Sequence, residues 1–363
     1  ITLGNTSVDK FRIPGINFII KDSTATEDYV LTVDASGEAG WEAAGGGGAS
    51  AIDDLSDAVT YQSGQEIGLG SGALDSSTGG SSNQNTAVGY NAGTAVTSGQ
   101  ASTFFGNAAG SQMTTGSANN FIGRSAGHNI TTTSNNNFMG SFAGYSVTGA
   151  NNVAVGSNAM LAGWSGGSSI DRSVAIGTDT LSANQSSAED TVAIGYQALY
   201  SGTSSDDSVA IGATAARATT TGTKLVAIGF EALKANTTAA DNIAVGYQSL
   251  KSNTTGTNHT AVGKGALKTV STANNSTAVG HSALESNSSG AQNTATGAFA
   301  GNLNTVGSYN SSYGYGALIA TNTGNYNTGL GGKAGDNIQT GSNNTVIGYN
   351  ADASSSSVSN EIT

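Results

Sequence analysis

Along most of the chain a short triplet alternates β-branched and small side chains and then stops at glycine. "NIAVG", "TVAIG" and "SVAIG" are three instances, closing at Gly246, Gly195 and Gly177. Val or Ile stands one residue before the glycine (Val88, Ile194, Ile228, Ile347) and again three before it (Val192, Val209, Ile243). Ala lies between them, as at Ala193, Ala210, Ala227 and Ala244. This is a period of two with β-branched residues on one face, and it predicts a short strand. The expectation is that Val and Ile face the core and Ala faces outward. Three residues after the glycine comes Ala in 15 of 17 units, often followed by Leu, as at Leu199, Leu233 and Leu250. That pair predicts a second short strand. Polar "TTG" and "NTG" clusters then predict the turn to the next unit.

The closing glycines fall at Gly89, Gly106, Gly123, Gly140, Gly156, Gly177, Gly195, Gly212, Gly229, Gly246, Gly263, Gly280, Gly297, Gly314, Gly331 and Gly348, with Gly70 opening the series. Of the 16 intervals 12 are 17 residues, nine of them consecutive, and no helix uses such a period. Self-similarity of this kind marks a solenoid, whose coils bury their apolar side only against neighbours. The predicted fold is therefore all-β, a parallel β-solenoid of about 17 coils of 17 residues over 67–352. Stacked at about 4.8 Å per strand, it would be roughly 80 Å long. The invariant glycine predicts a backbone with positive φ, or one with no space for a Cβ. Asn occurs four residues before it in 9 of 16 coils, which suits a turn or a stacked Asn ladder.

A coil with three or so inward apolar residues has a thin core. Ordering each residue costs about 1–2 kcal/mol of backbone entropy. A buried Val or Leu returns about 1.5–3 kcal/mol. The shortfall points to burial of a second surface, and a rotational homo-oligomer packed through a flat Ala face would supply it.

Before the repeats, residues 1–48 read as a small β module with strands in 11–21 and 28–43. Gly45 to Gly48 form a flexible joint, and 49–66 connects to the solenoid. Residues 353–363 read as a linker to a further module. The opening "ITLGNTSVDK" carries neither an initiator Met nor a signal pattern, and "VSNEIT" runs smoothly into it. The chain is therefore expected to be an excerpt of a longer tandem fibre.

Composition narrows the function. Gly supplies 53 of 363 residues, charged residues only 10%, and the net charge is -12. An acidic chain without Lys/Arg clusters in its sequence is a poor binder of nucleic acid or anionic membranes. No apolar run approaches the roughly 20 residues of a membrane span. With no cysteine, disulfides are excluded. His128, His259 and His281 sit at different phases of the repeat, so stacking does not unite them into a metal site or a triad. "GLGGKAG" at 329–335 lacks the βαβ context of a phosphate loop. No cofactor, metal or catalytic residue is expected. One carboxylate column, Asp190, Asp207 and Asp241 with Lys224 among them, reads first as a solvated edge, next as the site of an occasional cation and last as a pair for glycan cleavage.

Two features could contact a partner. The central Ala becomes Phe104, Phe121 and Phe138 in three adjacent coils, flanked by Thr103, Asn120 and Asn137. These rings pack in the core or a subunit interface, or form an outward aromatic ladder. The long interval from Gly156 to Gly177 brings out Trp164 on a loop, which either binds a receptor or covers the core.

The units "NIAVGYQSL", "SVAIGTDTL" and "TVAIGYQAL" resemble the head repeats of YadA-like trimeric adhesins, over about residues 67–352. The resemblance implies a left-handed β-roll with three rolls around a common axis. Family repeats usually run a few residues shorter than these. "ITLGNTSVDKFRIPGINFIIKD" and "DYVLTVDASGEAGWEAAGGGG" are similar to modules in fibre proteins of marine bacteriophages. Together they imply a non-catalytic, homotrimeric fibre segment on a virion surface appendage such as a tail fibre. Its expected partners are itself, other virion proteins and a host cell-surface glycan or protein. The alternatives are a bacterial cell-surface adhesin, a glycan-cleaving tailspike and, last, an ice-binding solenoid.

Overall fold

The computed structural model describes residues 29–33, 39–43, 58–61, 65–78, 83–162, 169–182 and 187–363. The chain divides into two units, Ile1–Leu55 and Ser56–Thr363. In the first, strands β1 (Tyr29–Val33) and β2 (Ala39–Ala43) form an antiparallel pair, Leu31 opposite Trp41. The other strand expected there, in 11–21, and the Gly45–Gly48 joint lie outside the described residues.

The second unit is the predicted parallel β-solenoid, about 16 turns with no helix among the described residues. Each coil contributes a three-residue strand, and successive strands pair in parallel and in register. Val192–Ile194, Val209–Ile211, Val226–Ile228 and Ile243–Val245 stack residue on residue, Ala193 on Ala210 on Ala227 on Ala244. At the first coil, β3 (Ala58–Tyr61) pairs antiparallel with β4 (Glu66–Leu69). The stretch read as a connector thus contains a strand that covers the edge of the parallel sheet. Residues 353–363, read as a linker, continue the repeat: Ile362 bridges Thr345 in parallel, and Glu361 N–H donates to Asn344 Oδ1.

Two expectations about the coil are corrected. The Ala of the triplet faces inward, with Ala87, Ala154, Ala193, Ala227 and Ala244 fully buried. The flanking Val and Ile face outward and are half-buried or exposed, as at Val226 and Ile228 or at Ile243. The reason is room. Ala and Leu on the return run fill the same layer, Ala232 and Leu233 in one coil, both fully buried. That leaves space for a methyl and not for an isopropyl group. Among the described residues the return run after the glycine forms no strand but a chain of turns, and a second parallel pair, Ser169–Asp171 with Ser187–Glu189, instead precedes the triplet in two coils. The Leu column of the return run has positive φ (Leu199 +49°, Leu233 +51°, Leu250 +49°), and so do residues two after the glycine, such as Gln197 and Glu231. Bulky side chains seldom adopt this conformation, and here it turns each Leu into the core.

The closing glycine satisfies both halves of its expectation. Gly229 has φ +132°, and a Cβ there would lie 2.5 Å from the carbonyl oxygen of Gly246 in the next coil. The Asn ladder is present and is the inner polar seam. Asn293 Oδ1 accepts from Asn310 N–H, Asn310 Oδ1 from Asn327 N–H, and Asn327 Oδ1 from Asn344 N–H, at 2.9–3.1 Å. Their Nδ2 groups donate across the coil to turn carbonyls: Asn293 to Gly307, Asn310 to Gly324, Asn327 to Gly341 and Asn344 to Val358. Backbone groups that the turns leave unpaired are thereby satisfied, which a buried polar column must achieve to be stabilising.

Candidate functional site

The Phe column lies inside the core. Phe104, Phe121 and Phe138 are fully buried. Phe121 and Phe138 stack with ring centroids 5.2 Å apart and planes 9° apart, and Phe104 is tilted 55° to Phe121 at 5.8 Å. Of the readings for these rings, core packing is the one the geometry gives, and no ring surface is open to a partner. The space comes from the opposite wall of the coil, where Leu is replaced by Gly110, Gly127 and Gly144. A Cβ on Gly127 would lie 2.5 Å from Phe121, and one on Gly110 would lie 2.5 Å from Phe104. Trp164 lies outside the described residues.

Outside, the strand residues make one apolar face along the coils. It includes Ile176, Ile243, Val262, Val279, Leu330 and Ile347, each at least 36% exposed. Residues just after the closing glycine add Tyr90, Tyr196, Phe230, Tyr247, Tyr315 and Tyr349, each at least 45% exposed. Phe230 and Tyr247 stack at 5.4 Å. An exposed apolar strand surface of this extent favours burial against another surface.

One member of the acidic column, Asp190, is tied to Arg172. Arg172 Nε donates to Asp190 Oδ1 at 2.7 Å and its Nη2 to Oδ2 at 2.9 Å, while Nη1 meets Asp171 and Nη2 also Glu189. The hydrogen bond and the charge of Arg172 hold the Asp190 carboxyl below the usual range. A glycosidic general acid needs the opposite shift. Burial and a hydrogen bond with Asp352 push Asp336 up. A directly hydrogen-bonded pair is closer than the roughly 5–9.5 Å that separates the carboxyls of glycosidases.

The histidines stay apart, as their phases require. His259 occupies the Asn ladder and imitates Asn: Ser276 N–H donates to its Nδ1 at 3.2 Å, and its Nε2 lies 2.7 Å from the Ala273 carbonyl. Only the neutral ring with its proton on Nε2 fits both contacts, and burial lowers its pKa accordingly. His128 Nδ1 contacts Asn129 Oδ1, and His281 packs edge-on against Phe299. Among the described residues no group of three or more His, Cys, Asp or Glu side chains could hold a metal. In 329–335, Gly329 and Gly335 leave space that Leu318 fills, so these glycines serve packing.

One arrangement was hidden in the sequence by its spacing. Arg217, Lys234, Lys251 and Lys268 are 17 residues apart and stack in successive coils. Backbone bonds fix the stack: the carbonyls of Arg217, Lys234, Lys251 and Lys268 accept from Ser201, Ala218, Ala235 and Ser252. Beside them Glu231 bridges Lys234 at 2.6 Å and Lys251 at 2.7 Å. Its pKa is pushed down to about 2, chiefly by the hydrogen bonds from these two lysines.

No known protein family, curated protein or solved structure matches the chain.

Proposed function

We propose that this chain is a non-catalytic structural segment of a virion fibre, assembled as a homotrimer and projecting a surface that recognises a host-cell glycan or protein. The observation that carries the reading is the outward apolar strand face, repeated coil after coil. A face of Val, Ile and Tyr on strands this short needs cover, and a rotational oligomer covers it without leaving an open edge. The surface buried between copies is then the Val/Ile face and not an Ala face. In this reading the roll is left-handed, as in the YadA-like heads that the triplets resemble. Residues 1–48 form a small β module, and the fibre belongs to a bacteriophage appendage such as a tail fibre. The mechanism is mechanical. In-register strand stacking and the Asn ladder make a rod that transmits load along its axis while side chains on its flank meet the host. Light scattering tests the assembly directly. The expected mass is about three times the 35.7 kDa of one chain, and a stable folded monomer would end this reading.

A further inference from the structure

We infer that the stacked cations Arg217, Lys234, Lys251 and Lys268 form a binding strip for a linear acidic polysaccharide. The strip lies on the return run, five residues beyond each closing glycine, and not among the strand residues that form the apolar face. It concentrates four of the chain's 12 basic residues in one line, on a molecule whose net charge is -12. The local carboxylates are Glu231, shared by Lys234 and Lys251, and Glu285, 3.4 Å from Lys268. Arg217 donates to the amide oxygen of Gln197 and lies over the Tyr200 ring, so its charge has no carboxylate partner in these contacts. Four cations against two carboxylates leave a surplus of two positive charges. The lysine side chains are 37%, 32% and 35% exposed at Lys234, Lys251 and Lys268, so a ligand can reach them.

Spacing and charge density choose the ligand. In-register coils present one cation about every 4.8 Å, half of them already neutralised. Duplex nucleic acid carries a charge about every 1.7 Å and would meet the rest of an acidic molecule as well. A polymer with sparse, regular carboxylates matches the strip better. Thr220, Thr237 and Thr254 form a parallel column three residues further on. The hydroxyls of Thr220 and Thr237 donate to the carbonyls of Thr237 and Thr254 at 3.0 Å, which directs the acceptor side of each oxygen away from the backbone. Such oxygens suit the hydroxyl donors of a sugar chain.

The inference rests on the fibre reading for its biological setting, and its test is separate. Binding of the full chain to alginate, to neutral dextran and to a duplex DNA oligomer is measured at two salt concentrations. Alginate is expected to bind, more weakly as salt rises, and dextran is not. The triple variant Lys234→Gln, Lys251→Gln, Lys268→Gln should bind at least about tenfold more weakly. Glu285→Gln removes a competing carboxylate and should bind about threefold more tightly, a gain that loss of folding cannot imitate. Alginate left unbound, affinities unchanged in both variants, or DNA bound as tightly as alginate would each overturn the inference. A trimer that ignores alginate loses the strip and keeps the fibre. A monomer that binds it keeps the strip and loses the fibre.

Discussion

The coils closed by Gly106, Gly123 and Gly140 and those closed by Gly195, Gly212, Gly229 and Gly246 have the same backbone and distribute their bulk differently. In the first set Phe104, Phe121 and Phe138 fill the core against Gly110, Gly127 and Gly144, and the outer strand begins with Thr103, Asn120 and Asn137. Asn120 Nδ2 there donates along the surface to Asn137 Oδ1. In the second set the core holds Ala193, Ala210, Ala227 and Ala244, with Leu199, Leu233 and Leu250 opposite. The outer strand begins with Val192, Val209, Val226 and Ile243. The contrast is not complete, since Phe105 and Met139 are also exposed in the first set. The lesson is that one layer of constant volume can be filled from either wall. The outer face is then free to change from polar to apolar without disturbing the coil.

The largest expected effect comes from emptying the first kind of layer. Phe121→Ala should cost about 3–5 kcal/mol in urea unfolding, because Gly127 leaves nothing to collapse into the space. The closing glycine is common to both regions, so Gly123→Ala and Gly229→Ala should each cost about 3 kcal/mol, equally. Unequal losses would mean that the two backbones differ after all. Next comes Gly127→Leu, at about 1–3 kcal/mol, since a Cβ there already collides with Phe121. Combined with Phe121→Ala it converts one layer to the other kind, as Leu takes the positive φ of this position in many coils. The double variant should be more stable than Phe121→Ala alone, and additive losses would refute the shared layer.

The smallest effect concerns pH and separates ladder coils with Asn from the one with His. His259 is held neutral, with its pKa lowered in the folded chain. Below the ordinary value of 6.5 the unfolded chain takes up the proton more readily, so stability should fall as pH drops through that point. His259→Asn keeps the ladder contacts, and this component of the pH dependence should vanish in thermal unfolding curves recorded between pH 7 and 5.

Much of this architecture was legible because the period and the glycine have single physical causes. A fixed interval means stacked coils. An invariant glycine means a backbone carbonyl where a Cβ would stand, and Gly229 against Gly246 is that case. The Asn ladder was legible for a similar reason, a polar residue recurring at one phase. The direction of the strand was not. Alternation of Val, Ala and Ile defines two faces and leaves open which is inside, and that depends on Leu233 and its equivalents reaching the same layer from a left-handed conformation. Arg217, Lys234, Lys251 and Lys268 escaped notice because a line in space is a scatter in sequence, thinned further by the acidic composition around it.

Transferring the polar edge of the first region to the second tests the fibre account most directly. Val192→Asn, Val209→Asn and Val226→Asn place at the outer strand the residue that Asn120 and Asn137 already carry there. Sedimentation equilibrium is then read side by side with the unaltered chain, for which the account predicts a trimer. For the variant it predicts a folded chain that dissociates toward 35.7 kDa. A variant that keeps the full trimer mass would show that this face is not where the copies meet.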